Sequence, residues 1–377
     1  MWPALRPARA RNPNWFENNC SRKTMTPRVS FVAALRDPSY GGDLPRRVEI
    51  FLNGIVTLAN RNALDAEVIL VEWNTPSEAR PLRELLTVRQ PLGRVAVRII
   101  IVPPRVHQSF PNGDEIPFFE PIAKNAALRR ARGDYWLATN PDLLFSDQLF
   151  AFLADSLGPD VLYRLDRYDV GADVPKDCSV DEQLAFCAKH VIAWHGLHAS
   201  VDFPQAQSLD DWSQMAQVQQ EARLEYERCL SGDSERGPYY DRLIFPLDGV
   251  HRNASGCFLL MHRRHWEQLR GHPELHTRGH ADSITCWAAL SAGPRQVELR
   301  PPCLMFHQPH DRGAPSGWLQ TDWRPFYERF QAVPRNGHRE PLYTNRPDWG
   351  LANETLEEWA LQSVQAGQAA RWEKSAP

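Results

Sequence analysis

The chain has 377 residues, 42% of them hydrophobic, which is enough to bury one large core with insertions or two smaller ones. With 43 basic against 46 acidic residues the formal charge is -3, so nothing marks a nucleic-acid binder, although basic clusters stand at both ends of the first hundred residues. Seven cysteines (20, 178, 187, 229, 257, 286 and 303) are an odd number without Cys-x-x-Cys spacing, which disfavours a zinc site or a disulfide framework and fits reduced thiols in a cytoplasmic protein.

Residues 1–27 read as a flexible segment: Met1 to Lys23 is polar, basic and rich in Pro, Arg and Asn, without the apolar run of a signal peptide or membrane anchor. Val29 to Leu35 reads as a first buried strand, followed by a Tyr40-Gly41-Gly42 loop and an amphipathic helix from Pro45 to about Ala59. Glu67 to Trp73 is a second strand, Pro81 to Arg89 a helix, and Val95 to Val102 a third strand. Near-continuous Val, Ile and Leu runs alternating with helices predict a parallel sheet covered on both faces.

A helix from Asn125 to Arg132 ends at Gly133, a suitable left-handed stop, and Tyr135 to Ala138 is a short buried strand. Pro141 cannot continue a ladder, so Asn140-Pro141-Asp142 falls in a loop at a carboxyl strand end, where open α/β sheets bind ligands. A carboxylate there can hold a metal over a diphosphate; an Asx-type turn with a solvated Asp142 is the plainer alternative. Ser146 caps a helix to about Leu157, and Val161 to Val170 looks like one more strand, with Arg164-Leu165-Asp166-Arg167 as its ion-paired centre. From about 171 to 246 no strand period is visible, and helix-like pieces, notably Trp212 to Leu230, suggest an insertion or lid. Beyond it lie a strand in Gly256 to Met261, a helix around His265 to Arg270, a helix from Asp282 to Ala292, and Val297 to Phe306 leading to His307. The part from 312 to 377 reads as a Trp- and Pro-rich C-terminal extension ending in a polar helix, Asn353 to Ala366, with Gly367 as its stop.

This order of parts resembles the nucleotide-sugar glycosyltransferases of the GT-A fold, closest to the family-2-like branch. The counterparts are Val29 to Arg36, Glu72 at the end of the second strand, Ala123-Lys124-Asn125, Ala131-Arg132-Gly133-Asp134-Tyr135, and Asn140-Pro141-Asp142 in the place of a D-x-D loop. The resemblance spans residues 29 to 310 and implies a Rossmann-like, mostly parallel α/β domain over 28–311. Two departures stand out. The first acid of D-x-D is Asn140, and the usual Glu-Asp pair that supplies the base is Ala281-Asp282.

The resemblance implies transfer of a sugar from a nucleoside-diphosphate donor to a glycan or other acceptor hydroxyl, assisted by Mn²⁺ or Mg²⁺. Asp142 is the expected ligand, completed by His307 and His310 in the Phe-His-Gln-Pro-His-Asp run; imidazoles suit Mn²⁺ better than Mg²⁺. Asp282, at a helix start, is the expected general base and implies inversion; capping that helix is its plainer role. Arg36, Glu72, Lys124 and Asn140 are candidates for the nucleotide side, and Asp248, Trp266 and Trp287 for the acceptor side, with Trp194 and Trp212 as further aromatic candidates; core packing is the plainer role of these indoles, of Trp266 above all. Asn125 is expected to tie loop to strand. Two other classes remain open: a non-catalytic carbohydrate-binding protein with a degraded site, suggested by the acids missing at 140 and 281, and a sugar-phosphate nucleotidyltransferase, disfavoured because Leu35-Arg36-Asp37-Pro38 is not glycine-rich.

Overall fold

The computed structural model describes residues 26–210, 212–232, 247–310, 319–333, 340–362 and 371–375. Chain order begins β1 (Val29–Leu35), α1 (Leu44–Arg61), β2 (Ala66–Trp73), α2 (Leu82–Leu85), β3 (Val95–Val102), α3 (Pro104–His107), α4 (Glu120–Leu128), β4 (Tyr135–Thr139), β5 (Leu143–Phe145), α5 (Asp147–Asp155), β6 (Val161–Leu165) and β7 (Arg167–Val170). It continues α6 (Val180–Lys189), β8 (Val191–His195), β9 (Ser200–Gln207), α7 (Trp212–Leu230), β10 (Phe258–His262), α8 (Arg263–Leu269), α9 (Ala281–Ala292), β11 (Arg295–Leu299), β12 (Met305–His307), α10 (Arg324–Ala332), β13 (Glu357–Gln362) and β14 (Arg371–Lys374).

The larger sheet has the order β11-β6-β10-β4-β1-β2-β3-β13-β14. Its centre, β4-β1-β2-β3, is parallel, and every residue of β1 and β2 is buried. Alternation along β1 explains why. Phe31, Ala33 and Leu35 pack with α1 and α5 on one face, Val32 and Ala34 with α4, α8 and α9 on the other, so neither face needs polar residues. The mostly parallel α/β sheet with helices on both faces is therefore as the sequence predicted. β10 runs antiparallel between β4 and β6. Among the described residues no helix is long and apolar enough to cross a membrane.

A second sheet, β5-β12-β7-β8-β9, was not foreseen. The run from Val161 to Val170 is two strands, not one: it breaks at Asp166, leaving β6 in the large sheet and sending β7 into the small one. The region 171–246, read without strands, holds β8 and β9 as well as α6 and α7; residues 233–246 lie outside the described ones. Segment 81–89 is helical only over α2.

The C-terminal helix expected from Asn353 to Ala366 is instead β13, antiparallel to β3, and Gly367 lies outside the described residues, as do 1–25 of the flexible segment. Pairing to an open sheet edge overrides the helical preference of Glu-Glu-Trp-Ala-Leu-Gln. Arg98 of β3 anchors this strand, donating to Glu358 Oε2 at 2.8 Å and to Glu67 Oε2 at 3.1 Å. Gly133 is not left-handed. It is small because a Cβ would fall 2.9 Å from the Ser30 amide nitrogen of β1, so only glycine lets the chain enter β4 this close.

Candidate active site

Backbone register assembles the first cluster. Pro141 ends the β4 ladder at Thr139 and turns the chain into β5, so Asp142 stands immediately before Leu143. β12 pairs antiparallel with β5, setting His307 opposite Leu143, and parallel with β7, setting His307 opposite Asp169. His307 Nε2 and His310 Nε2 lie 3.4 and 3.2 Å from Asp142 Oδ2. One donor atom from each of the three residues falls within 4.8 Å of the others, close enough to share one ion.

Asp142 Oδ1 is buried without a hydrogen-bond partner, which favours a cation there, and the donor set of one carboxylate and two imidazoles fits a divalent transition ion. Burial pushes the Asp142 carboxyl up, but the charge and hydrogen bonds of His307, then His310, outweigh it and hold the group well below the usual carboxylate range. Outside this shell His307 Nδ1 is 3.5 Å from Asp169 Oδ1, and the Tyr40 ring packs 5.4 Å from that of His310. Arg47 of α1 donates to the Gly41 carbonyl at 2.9 Å and to that of Tyr40 at 2.5 Å, fixing the loop that carries the tyrosine.

Beside this cluster opens a cleft of about 630 Å³, lined among others by Tyr40, Phe118, Glu120, Lys124, Asn140, Arg167, Gly256, Cys257, His272, Arg278, Asp282 and Gln320. On one wall Gly279 and His280, both left-handed, turn the chain sharply into α9 and place Asp282 in its first turn. Ser255 Oγ donates to Asp282 Oδ2 at 2.5 Å, and Gly256 leaves the approach to that oxygen open, since a Cβ would sit 3.2 Å from it. His280, not Asp282, is the residue before the helix, and it makes no side-chain cap.

Across the floor Lys124, buried on α4, donates to Asn140 Oδ1 at 2.8 Å and to the Gly256 carbonyl at 3.0 Å, with Glu120 Oε1 at 2.7 Å. Asn140 Nδ2 in turn faces Cys257 Sγ at 3.6 Å, and Arg167 Nη1 faces the same sulfur at 3.4 Å. His272, also on the lining, is fully buried; desolvation first, then the Lys124 charge, lower its pKa to about 3, so the ring is neutral at ordinary pH.

The structure thus brings together Asp142, His307 and His310, and separately Lys124, Asn140 and Asp282 around the adjoining cleft. It does not bring the remaining candidates there. Glu72 is buried below the β2 terminus, accepting from the Leu82 amide at 3.2 Å and Thr75 Oγ1 at 3.1 Å, and burial pushes its pKa up. Arg36 is half-buried outside the cleft lining. Trp266 is a core residue: it is fully buried and its indole N–H donates to the Trp136 carbonyl at 2.9 Å. Trp287 is equally buried, donating to Asp248 Oδ2 at 2.8 Å, with the Arg252 guanidinium 4.6 Å from its ring centroid and paired to Asp248. Trp287 and Asp248 therefore form a buried clamp, and neither stands on the lining of this cleft. Trp194 likewise donates inward, to Asp166 Oδ2 at 2.8 Å, and Trp212 packs edge-on against Tyr168.

Asn125 ties α4 to the loop after α8, not a loop to a strand: its amide donates to the His272 carbonyl at 2.8 Å while its Oδ1 accepts from the His272 amide at 2.7 Å. Sequence reasoning missed Arg167, Asp169, Cys257, His272, Tyr40 and Arg47. Only Tyr40 and Cys257 lay in segments that the sequence singled out, the loop after the first strand and the strand in Gly256 to Met261. The others depend on the second sheet and on loop packing.

No protein-family model matches the sequence, and no curated protein matches it. Among solved structures, the chain is similar to S. aureus TarS 1-349, with 12% identity, a TM-score of 0.35, and coverage of 74% of this chain and 60% of that one. It is also similar to GalNAc-T7 solved with UDP, GalNAc and Mn²⁺, with 12% identity, a TM-score of 0.42, and coverage of 83% of this chain and 52% of that one. The chain therefore spans about three fifths of the first solved chain and about half of the second.

Proposed function

We propose that the chain is a glycosyltransferase that moves a sugar from a nucleoside-diphosphate donor to an acceptor hydroxyl, with inversion. The observation that carries this reading is the adjacency of two chemistries: a carboxylate with two imidazoles, able to hold one divalent ion, beside a cleft whose opposite wall presents Asp282. A hard anion and a hydroxyl to be deprotonated need that combination.

Asp142, His307 and His310 would hold Mn²⁺ in preference to Mg²⁺, because two of three donors are imidazole nitrogens. Such an ion, when bound, offsets the negative charge that grows on the leaving diphosphate. The chain's own residues do the rest. Asp282 accepts the acceptor hydroxyl's proton as that oxygen bonds the anomeric carbon, while the bond from that carbon to the diphosphate oxygen breaks and its electron pair leaves with the diphosphate. Ser255 orients the base through its 2.5 Å hydrogen bond, so Asp282 faces the cleft rather than curling back onto the α9 amides.

The experiment is a thermal-shift screen of the purified protein against nucleoside diphosphates, each with Mn²⁺, Mg²⁺ or EDTA, followed by donor-turnover assays with the sugar nucleotides of the base that binds. A Mn²⁺-dependent shift that disappears in Asp142→Ala, together with turnover, supports the reading. Binding without turnover or hydrolysis of any donor favours a carbohydrate- or nucleotide-binding protein, and no binding at all removes the donor site.

A further inference from the structure

We infer that Arg167 is a diphosphate-binding residue, and that the Cys257 thiol holds its place while the cleft is empty of anion; this rests on the glycosyl-transfer reading. Arg167 looks structural in the sequence, as one member of an alternating charged strand. The break at Asp166 gives it a different role. Asp166 ends up beside Trp194, while Arg167 faces the donor cleft together with Lys124 and Asn140.

Arg167 is only 9% exposed, and one edge of its guanidinium is fixed: Nε lies 2.7 Å from Asp169 Oδ1 and Nη2 donates to Asp169 Oδ2 at 3.2 Å. The remaining nitrogen, Nη1, points at Cys257 Sγ, 3.4 Å away. A neutral thiol is among the weakest acceptors a guanidinium can meet, whereas a phosphate oxygen makes a charge-assisted bond about twice as strong as a neutral one. Exchanging sulfur for phosphate therefore favours ligand binding, and the pre-set planar fork loses little rotamer freedom in the exchange.

The same floor explains why an amide can stand where a D-x-D loop has its first acid. Lys124, Asn140, Cys257 and Arg167 form a row in which two cations are separated by two neutral groups, at 2.8, 3.6 and 3.4 Å. An aspartate at 140 would place an anion midway along the row. Asn140 leaves it available to an anionic ligand, so Arg167 can take up diphosphate charge there. Its partner Asp169 also touches His307, which ties the guanidinium to the Asp142 cluster through one carboxylate.

The test compares affinities of wild type, Arg167→Gln and Arg167→Lys for the nucleoside diphosphate selected by the screen and for the matching nucleoside, by ligand-observed NMR in EDTA so that no ion contributes. Arg167→Gln should lower diphosphate affinity about tenfold or more while leaving nucleoside affinity unchanged, with Arg167→Lys between the two. A substitution that weakens both ligands by the same factor, or neither, overturns the assignment, and so does an Arg167→Lys protein that binds diphosphate as wild type does, because a role through charge alone survives that exchange. Should Arg167→Gln fail to fold, Arg167→Lys carries the same comparison. Wild type that binds no diphosphate even with Mn²⁺ overturns the glycosyl-transfer reading and this inference together; wild type that binds while the ratio stays fixed overturns only Arg167.

Discussion

Asp169 and His307 stand opposite each other on adjacent parallel strands, with Asp169 Oδ1 3.5 Å from Nδ1 of a ring whose Nε2 lies 3.4 Å from Asp142 Oδ2. One imidazole is bracketed by two carboxylates, one at each nitrogen. Under the proposed function the outer acid favours the tautomer with its proton on Nδ1, which keeps Nε2 for the ion. Asp169→Asn is expected to weaken Mn²⁺ binding about 10- to 100-fold, with Asp142→Ala more severe. Titration calorimetry with Mn²⁺ checks this, and unchanged affinity in Asp169→Asn would remove the outer carboxylate from the site.

Ser255 and Asp282 make a second positioned pair. Asp282→Asn should lower kcat about 10²- to 10⁴-fold, the usual worth of a general base, with nucleoside-diphosphate affinity unchanged. Ser255→Ala, which frees the carboxylate to rotate, should cost about tenfold in kcat. Full turnover in Asp282→Asn would assign the proton to another group.

Trp266 belongs to the core, so its truncation should affect folding rather than acceptor use. Trp266→Ala should lose about 3–5 kcal/mol in urea unfolding. Trp266→Phe should lose less and leave the acceptor KM where it was. A raised KM in a Trp266→Phe protein of normal stability would return this residue to the acceptor side.

Burial, and then the neighbouring Glu298 charge, push the Asp166 carboxyl up to about 7 from an ordinary 3.8. The folded chain therefore holds a proton that the unfolded chain has released between those two values, so this group's contribution is full below about 4 and is lost as pH rises through about 7. Asp166→Asn removes that loss. Relative to wild type the variant should gain on the order of 2–4 kcal/mol between pH 4 and pH 8, at about 1.4 kcal/mol per pKa unit. Urea midpoints at the two pH values measure it, and a constant difference would show that Asp166 does not titrate in this range.

The parallel core was legible because its strands are buried on both faces and therefore nearly all apolar, as in Val29 to Leu35. Asp142, His307 and His310 were legible as donor types near strand ends. Arg167 was not: every residue from Val161 to Val170 suits a strand, and nothing local says that the chain changes sheets at Asp166. Glu357 to Gln362 misled for the opposite reason, since its helix-forming composition is overruled by an edge supplied more than 250 residues earlier. The tryptophans left two roles open, core and acceptor contact, because an indole that could stack on a sugar and one that fills a core are the same in sequence.

That C-terminal edge also orders events during synthesis. β3 ends at Val102, and its outer side is satisfied by β13, whose first residue is Glu357. Until the ribosome has delivered residues 357–362, the nascent chain presents Val-Ala-Val-Arg-Ile-Ile-Ile-Val with a row of unmatched amides and carbonyls and with Arg98 lacking Glu358. Such an edge is a template for intermolecular strand pairing. A stop codon upstream of Glu357 would leave the cleft residues encoded in full and yet yield a protein inclined to aggregate, so solubility in the cell depends on a strand remote from the chemistry.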